Sequence, residues 1–269
     1  MIRSTSYIKS KALSNGSLAL GNYRFFSYIP IVEVREDKIN PHLVEQYLVH
    51  HSVTSKNGML HQRPYLRLHC LTDTGGILNQ AIQIYAYPGG LEERERVRHH
   101  LGGLRKGPHS RCSPEESDDT YNKMCIIEQS SNIYAEAPFI AKSDGIRGLM
   151  KPLSDQDQQQ GSSIYEFRKY HLKLGYDIVP KFLSLYEAGL PSKLDAVGSD
   201  PTTSLLTLLY TEVGQLNEVI EVWKHGDGVK AMEKSRVAAR SAPEWRHAIK
   251  EIAQLAVSFR STIYNPLSY

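Results

Sequence analysis

The sequence lacks most of the features that identify membrane-spanning, disulfide-bonded and metal-binding proteins. No apolar run among its 269 residues approaches the roughly 18 that a membrane-spanning helix needs, so we expect no transmembrane segment. Its three cysteines, Cys70, Cys112 and Cys125, include no close pair, so neither a disulfide framework nor a zinc knuckle is indicated. No His-Glu-x-x-His pattern, nucleophile elbow or phosphate-binding glycine-rich loop is present. We therefore expect no metal and no cofactor, and no catalytic residue is indicated.

Acidic residues are missing from the first 30 positions, which hold four basic ones: Arg3, Lys9, Lys11 and Arg24. The net charge is +3, but without these four residues 28 basic residues stand against 29 acidic ones. The remainder of the chain is therefore close to neutral. Nucleic-acid binding needs a concentrated cationic face to neutralise phosphates, so we expect no nucleic-acid partner.

The same N-terminal segment is rich in serine, and its apolar residues are scattered, as in mitochondrial transit peptides. Its Arg24-Phe25-Phe26-Ser27 stretch resembles the arginine-minus-three site cut by the matrix processing peptidase. We predict a transit peptide over residues 1–26, a mature N-terminus at Ser27 and a location in the mitochondrial matrix. The alternative is a disordered tail that is basic by chance.

The most informative feature is an internal repeat. Residues 78–85 (LNQAIQIY) align without gaps on residues 216–223 (LNEVIEVW), and apolar and polar residues alternate in both copies. This alternation predicts strands with two different faces. A glycine precedes each copy at the same offset, Gly76 and Gly214, so each strand is predicted to be the second arm of a hairpin.

Further correspondences extend the repeat in both directions. Downstream, residues 113–116 (SPEE) and 241–244 (SAPE) resemble capping boxes and predict that a helix starts at each place. Upstream, residues 164–172 alternate like a strand, and the apolar residues that follow recur at helical spacing. Each half then has the order strand–helix–strand–strand–helix–strand, which is the ferredoxin-like plan.

We therefore predict an α+β protein with two ferredoxin-like domains, each an antiparallel sheet with helices on one face. The first domain spans residues 27–140 and the second residues 164–269. The residues between them, 141–163, are rich in Asp, Gln, Gly and Ser and predict a solvated linker. In the first domain, the mixed-charge cluster at 92–98 predicts a solvent-exposed helix face.

The second half holds a series of motif residues, namely Tyr165, Glu166, Arg168, Tyr170, Lys173, Gly175, Glu212, Gly214, Asn217, Trp223, Arg236, Pro243 and Trp245. In these residues it resembles the NIPSNAP family, and the resemblance spans residues 164–269. The first strand of the first half lacks the family's Tyr-x-x-Arg signature. The resemblance implies tandem domains of the dimeric α/β-barrel type, a mitochondrial protein, and a role in protein interaction, including recruitment of autophagy receptors to damaged mitochondria.

The first and third strands of a ferredoxin-like sheet are neighbours, which makes a pocket conceivable. Glu166, Arg168 and Tyr170 would lie on one face, next to Glu221 and Trp223. A guanidinium–carboxylate pair beside an indole and a phenol would suit a small polar ligand, whereas the alternative is a structural ion pair with Trp223 in the core.

Two hypotheses about function follow. The first is a non-enzymatic mitochondrial protein that acts through protein partners, in mitochondrial quality control or mitophagy signalling, with a homo-oligomer as an open alternative. The second is a cofactor-independent monooxygenase-like enzyme or a small-molecule binder that uses a pocket between the two sheets.

Overall fold

The computed structural model describes residues 29–56, 65–104, 124–143, 145–151 and 162–267. The predicted transit peptide, the first of the two capping boxes and Cys112 lie outside these residues. The first half contains β1 (Ile31–Ile39), a short 3-10 turn (Pro41–Leu43), α1 (Val44–Lys56), β2 (Leu66–Thr74), β3 (Gln80–Tyr87), α2 (Gly90–Leu104), β4 (Ile126–Glu136) and α3 (Pro138–Lys142). The second half contains β5 (Ile164–Leu172), α4 (Ile178–Leu194), β6 (Thr203–Val213), β7 (Glu218–His225), α5 (Gly228–Ser241), α6 (Pro243–Leu255) and β8 (Ala256–Pro266).

The strands form one closed antiparallel barrel, in the order β1–β3–β2–β8–β5–β7–β6–β4. Each half contributes four strands in the ferredoxin-like order, and the halves join where β2 pairs with β8 and β4 pairs with β6. The prediction of two ferredoxin-like units of the α/β-barrel type is therefore confirmed. None of the described helices is long and apolar enough to cross a membrane.

The barrel interior is filled by side chains from both halves. Val32 and Val34 of β1 meet Tyr165 and Phe167 of β5 in a single buried cluster, to which no helix contributes a buried residue. An eight-stranded barrel is just wide enough for side chains to fill it. The prediction of a pocket between the two sheets is therefore wrong about where the pocket lies, because apolar side chains fill the barrel interior.

Residues 145–151 close one end of the barrel. Leu149 is 2% exposed and belongs to the barrel core, and Ile146 is also buried. The Glu136 carboxylate accepts a hydrogen bond from the Leu149 backbone N–H at 2.8 Å and one from the Thr207 hydroxyl at 2.6 Å. The prediction of a solvated linker is therefore wrong for this stretch, because Leu149 packs in the barrel core and Ile146 in the helix-covered core of the second half.

Two hairpin glycines permit the close contact between the halves. Gly75, between β2 and β3, has φ +87°, and Gly214, between β6 and β7, has φ +132°. A side chain at Gly75 would clash with the Ser261 carbonyl, and one at Gly214 would clash with the Asn132 side chain. Only glycine combines this backbone conformation with this lack of volume. In the first hairpin the left-handed residue is Gly75, one position before Gly76.

The helices cover the outer face of the barrel. In the second half α4 and α6 pack on β5 and β7 around Phe182, Tyr186, Trp245 and Ile252. The helix predicted at residue 243 is present, but the capping box is wrong. The N-cap residue of α6 is Ala242, and the Ser241 hydroxyl donates instead to the Ala238 carbonyl at 2.7 Å.

Candidate functional site

The structure brings the five candidate pocket residues together beneath the helices of the second half. The pairing of β5 with β7 places Arg168 opposite Glu221 and Glu166 opposite Trp223. Tyr170 lies on the same face and packs on Phe182 of α4, with ring centroids 5.1 Å apart. The cluster therefore faces the helices and not the barrel interior.

Glu221 is the centre of this cluster and has no exposed surface. Burial by itself raises the pKa of its carboxyl, but the nearby charges of Lys193 and Arg168 outweigh burial and lower the pKa to about 2. Glu221 is therefore an anion at neutral pH. Its carboxylate accepts hydrogen bonds from Tyr170 Oη at 2.9 Å, Tyr186 Oη at 2.7 Å, Lys193 Nζ at 2.9 Å and Trp223 Nε1, and Arg168 Nη1 lies 3.6 Å away.

Glu166 holds a second buried charge two residues before Arg168. Arg168 binds its carboxylate with Nε at 2.6 Å and Nη2 at 3.2 Å. Arg236 Nη2 and Ser261 Oγ also donate to it, at 2.6 and 2.7 Å. Burial raises the pKa of Glu166, yet hydrogen bonds from His225, Arg168 and Arg236 hold it well below its ordinary value. Glu166 and Glu221 together fix the Arg168 guanidinium.

Lys193 belongs to the cluster, although the sequence analysis missed it. Its Nζ lies 3.7 Å from the ring centroid of Trp223 and 4.3 Å from that of Trp245. Burial lowers the pKa of its ammonium to about 7, against the opposing charge of Glu221. A sequence signal did exist, because Lys193 follows Tyr186 by seven residues and so lies on the buried face of α4.

An open groove of about 840 Å³ lies beside the cluster, between α5, α6 and the first half of β8. Phe259 and Val257 line it and are 55% and 72% exposed, and the Phe259 ring lies 4.7 Å from that of Tyr170. The one acidic lining residue is Glu166, which two arginines already bind. Five lining residues are cationic, namely Arg168, Arg236, Arg240, Arg246 and Lys250.

A matching charge cluster occupies the first half. Arg35 Nε binds the Glu33 carboxylate at 2.8 Å, and the Ser131 hydroxyl donates to it at 2.6 Å. Although burial raises the pKa of Glu33, hydrogen bonds from Arg94 and Arg35 bring it to about 2. The shared Glu-x-Arg pattern of β1 and β5 is visible in the sequence. The first strand carries Val32 where the family signature has tyrosine, and this difference obscures the shared pattern.

The two halves differ in how the third arginine binds. Arg94 donates to Glu33 through Nε at 2.9 Å and Nη2 at 3.0 Å and is 8% exposed, so the prediction of a solvated face at 92–98 is wrong at this residue. Arg236 reaches Glu166 and Ser261 through Nη2 alone. Its Nε is buried, and it has no hydrogen-bond partner among the residues that the structure describes.

Several family-motif residues shape the scaffold. Tyr165 packs in the barrel interior, and Glu212 is exposed at the end of β6. Gly214 and Asn217 form the β6–β7 hairpin, where Asn217 has φ 58° and donates from its amide to the Lys173 carbonyl at 2.7 Å. Gly214 and Asn217 thus fix the hairpin, and none of these four motif residues lines the groove.

Other motif residues position the helices. Gly175 lies just before α4 with φ +155°, and Pro243 is the first residue of α6. Trp245 packs edge-on against Tyr186 at 5.3 Å. Within the described part of the chain, no three His, Cys, Asp or Glu side chains are grouped so as to hold a metal ion.

Comparison with known proteins identifies the second half. Residues 165–269 match the NIPSNAP family model, whereas a comparison with curated proteins gives no significant match. A NIPSNAP family protein of unknown function from Agrobacterium tumefaciens is 22% identical, covers 41% of this chain and 93% of its own, and has a TM-score of 0.36.

Two solved structures share the fold over most of the chain. A candidate monooxygenase of Fusobacterium nucleatum has a TM-score of 0.57 and 10% identity, and covers 89% of this chain and 93% of its own. A candidate monooxygenase of Lactobacillus acidophilus has a TM-score of 0.55 and 11% identity, with coverages of 88% and 94%. These likenesses concern the fold alone. The match to the NIPSNAP family model covers residues 165–269, which is the second half of this chain alone.

Proposed function

We propose that the second half binds a small organic anion with an apolar body in the groove between β8, α5 and α6. The exposed rings and aliphatic side chains of Phe259, Val257 and Ile249 would cover the apolar body. The unpaired cations on the two helices would bind the anionic end, as pocket polar groups commonly orient a ligand.

The observation that carries this proposal is the unsatisfied Nε of Arg236. A buried N–H without a partner costs free energy, so native proteins seldom leave one. In the first half Arg94, which lies one helical turn earlier than the position that matches Arg236, binds the Glu33 carboxylate with both Nε and Nη2. In the second half a ligand carboxylate in the groove would supply the missing acceptor.

The fold supports oxidation of the bound molecule as the reaction to test first, because the two solved structures that share it are candidate monooxygenases. Such a reaction would be independent of a cofactor. The Tyr170 side chain and the cations of the groove are polar groups of this chain that line it and would lie nearest the substrate. Oxygen consumption with the bound anion would distinguish an enzyme from a binder.

The binding test uses the intrinsic fluorescence of the two tryptophans, because Trp245 lines the groove and Trp223 lies in the adjoining cluster. We expect 4-phenylbutyrate to bind about ten-fold more tightly than 4-phenylbutanol, since one charge-assisted hydrogen bond contributes about that factor. Arg236→Ala should remove this preference. Arg260→Ala, a matched control outside the groove, should keep it; equal binding of acid and alcohol to the unaltered protein would refute the proposal.

We also propose that the protein is mitochondrial and acts through protein partners in mitochondrial quality control. The support is the acid-free, serine-rich segment at residues 1–30 and the NIPSNAP domain. Fusion of residues 1–30 to a fluorescent protein should direct it to mitochondria, and replacement of Arg3, Lys9, Lys11 and Arg24 by glutamine should abolish this. Diffuse fluorescence of the unaltered fusion would contradict the mitochondrial location. It would then also contradict a role with mitochondrial protein partners.

A further inference from the structure

A second cavity, of about 280 Å³, lies between the end of α4 and the beginning of β6. It shares no lining residue with the groove. Lys193 and Trp223 form part of its wall, together with Thr203 and Ser235. Its size is at the lower end of ligand pockets, which begin at about 300 Å³, so it suits a small molecule.

The Lys193 amine is held in surroundings that disfavour its charge. The residue is 8% exposed, and Nζ is sandwiched between the indoles of Trp223 and Trp245. An ammonium has three N–H donors, but in the described part of the chain Nζ has one oxygen partner, Glu221 at 2.9 Å. The Arg168 guanidinium adds a repelling charge.

The charged groups around this amine come from two strands. Glu221 of β7 favours the ammonium, as does the more distant Glu166 of β5, whereas burial and Arg168 of β5 oppose it. Burial is the larger effect and lowers the pKa of Lys193 to about 7. Burial therefore shifts the amine towards its neutral form relative to an exposed lysine, and a desolvated lysine of this kind is a nucleophile.

We propose that Lys193 is a reactive amine that condenses with a small, uncharged aldehyde or ketone admitted by this cavity. The nitrogen lone pair attacks the carbonyl carbon, and the C=O π electrons move to oxygen to give a carbinolamine. The carbonyl oxygen then leaves as water with the two amine hydrogens, and a C=N bond links Lys193 to the ligand. No oxidant or reductant is needed.

The lining of the cavity limits the ligand class. Asp195 and Asp200 line it, and Lys193 is the one cationic lining residue. Two carboxylates would repel an anionic carbonyl compound such as a 2-oxo acid. The hydroxyls of Ser199, Thr203 and Ser235 hydrogen-bond to one another at 2.9–3.4 Å, so a short hydroxyaldehyde, which can join such a network, fits best. This inference does not depend on the ligand of the groove.

Reductive trapping on the folded, full-length protein tests the proposal. The protein is treated briefly with glycolaldehyde and cyanoborohydride at pH 7, and each lysine is quantified by peptide mass spectrometry. We expect Lys193 to be alkylated at least about ten-fold faster than the exposed Lys181 and Lys230, because burial lowers the pKa of the Lys193 ammonium to about 7. In urea the three rates should become equal.

Two further measurements sharpen the outcome. The rate at Lys193 should reach half its maximum near pH 7. Glyoxylate should react more slowly than glycolaldehyde at Lys193, and Asp195→Asn should reduce that difference. If Lys193 in the folded protein reacts no faster than Lys181, the proposal is refuted.

Discussion

Arg94 and Arg236 reach equivalent glutamates from equivalent helices, but only Arg94 binds its glutamate with both Nε and Nη2. Each helix follows the third strand of its half, and each glutamate precedes a strand arginine by two residues. The two halves therefore share one charge cluster that is closed in the first half and borders an open groove in the second.

This difference predicts unequal costs of removing the two arginines. Arg94→Ala should lower the free energy of unfolding by about 2–4 kcal/mol, because Glu33 would lose two hydrogen bonds in a buried position. Arg236→Ala should cost only about 1 kcal/mol, because Arg168 and Ser261 still bind Glu166. Urea denaturation of both variants measures the difference, and a larger loss at Arg236 would contradict it.

Glu221 should be the most sensitive single position of the second half. Glu221→Ala leaves the Lys193 charge and the hydroxyls of Tyr170 and Tyr186 without their acceptor, so we expect a loss of about 3–5 kcal/mol. Glu233→Ala, on the exposed face of α5, is the control and should change stability little. A Glu221→Ala protein as stable as the control would show that the contacts of Glu221 do not stabilise the fold.

The low pKa values of the buried carboxyls predict that the free energy of unfolding decreases as the solution becomes acidic. Glu33 and Glu221 have pKa values of about 2 in the folded protein, below the ordinary value of 4.5. The unfolded state therefore binds more protons in this range, and the stabilisation present above pH 4.5 is lost as the pH falls towards 2. Glu221→Gln should make the slope shallower by about 1.4 kcal/mol per pH unit at most. Identical slopes for the two proteins would contradict the assignment.

The segment that closes the barrel should contribute to stability as a core element does. Leu149→Ala should cost about 2–4 kcal/mol, because it leaves a cavity among barrel side chains. Leu174→Ala removes the same atoms from a side chain that is 88% exposed and should have little effect. Thermal unfolding followed by circular dichroism compares the pair, and equal melting temperatures would mean that residues 145–151 are dispensable.

Much of this architecture was predictable because each half repeats a local pattern. The alternation at 164–172 gives β5 with the bounds that the structure shows, and the ferredoxin-like order gives the Arg168–Glu221 pairing. The alternation of residues assigns them to the two faces of a strand, but it does not predict which face packs against the other half of the chain. The mostly apolar face of each sheet fills the narrow barrel, and the face with Glu166, Arg168 and Glu221 lies under the helices.

The partners of the buried charges were less accessible to sequence reasoning. Lys193 meets Glu221 only after α4 has folded back over β7, and the two residues are 28 positions apart. Ile146 and Leu149 lie in a stretch whose average composition is polar. The average composition of a segment does not show which of its individual side chains are buried. Both contacts depend on tertiary packing, which no local pattern records.

The closure of the barrel within a single polypeptide has an evolutionary consequence. In a barrel assembled from two identical chains, every substitution would appear at both symmetry-related positions at once. Here Gln83 occupies the position that Glu221 has in the other half, so one half could lose a buried anion while its counterpart kept it. Joining the halves thus allows the buried charges of the two sheets to differ from each other.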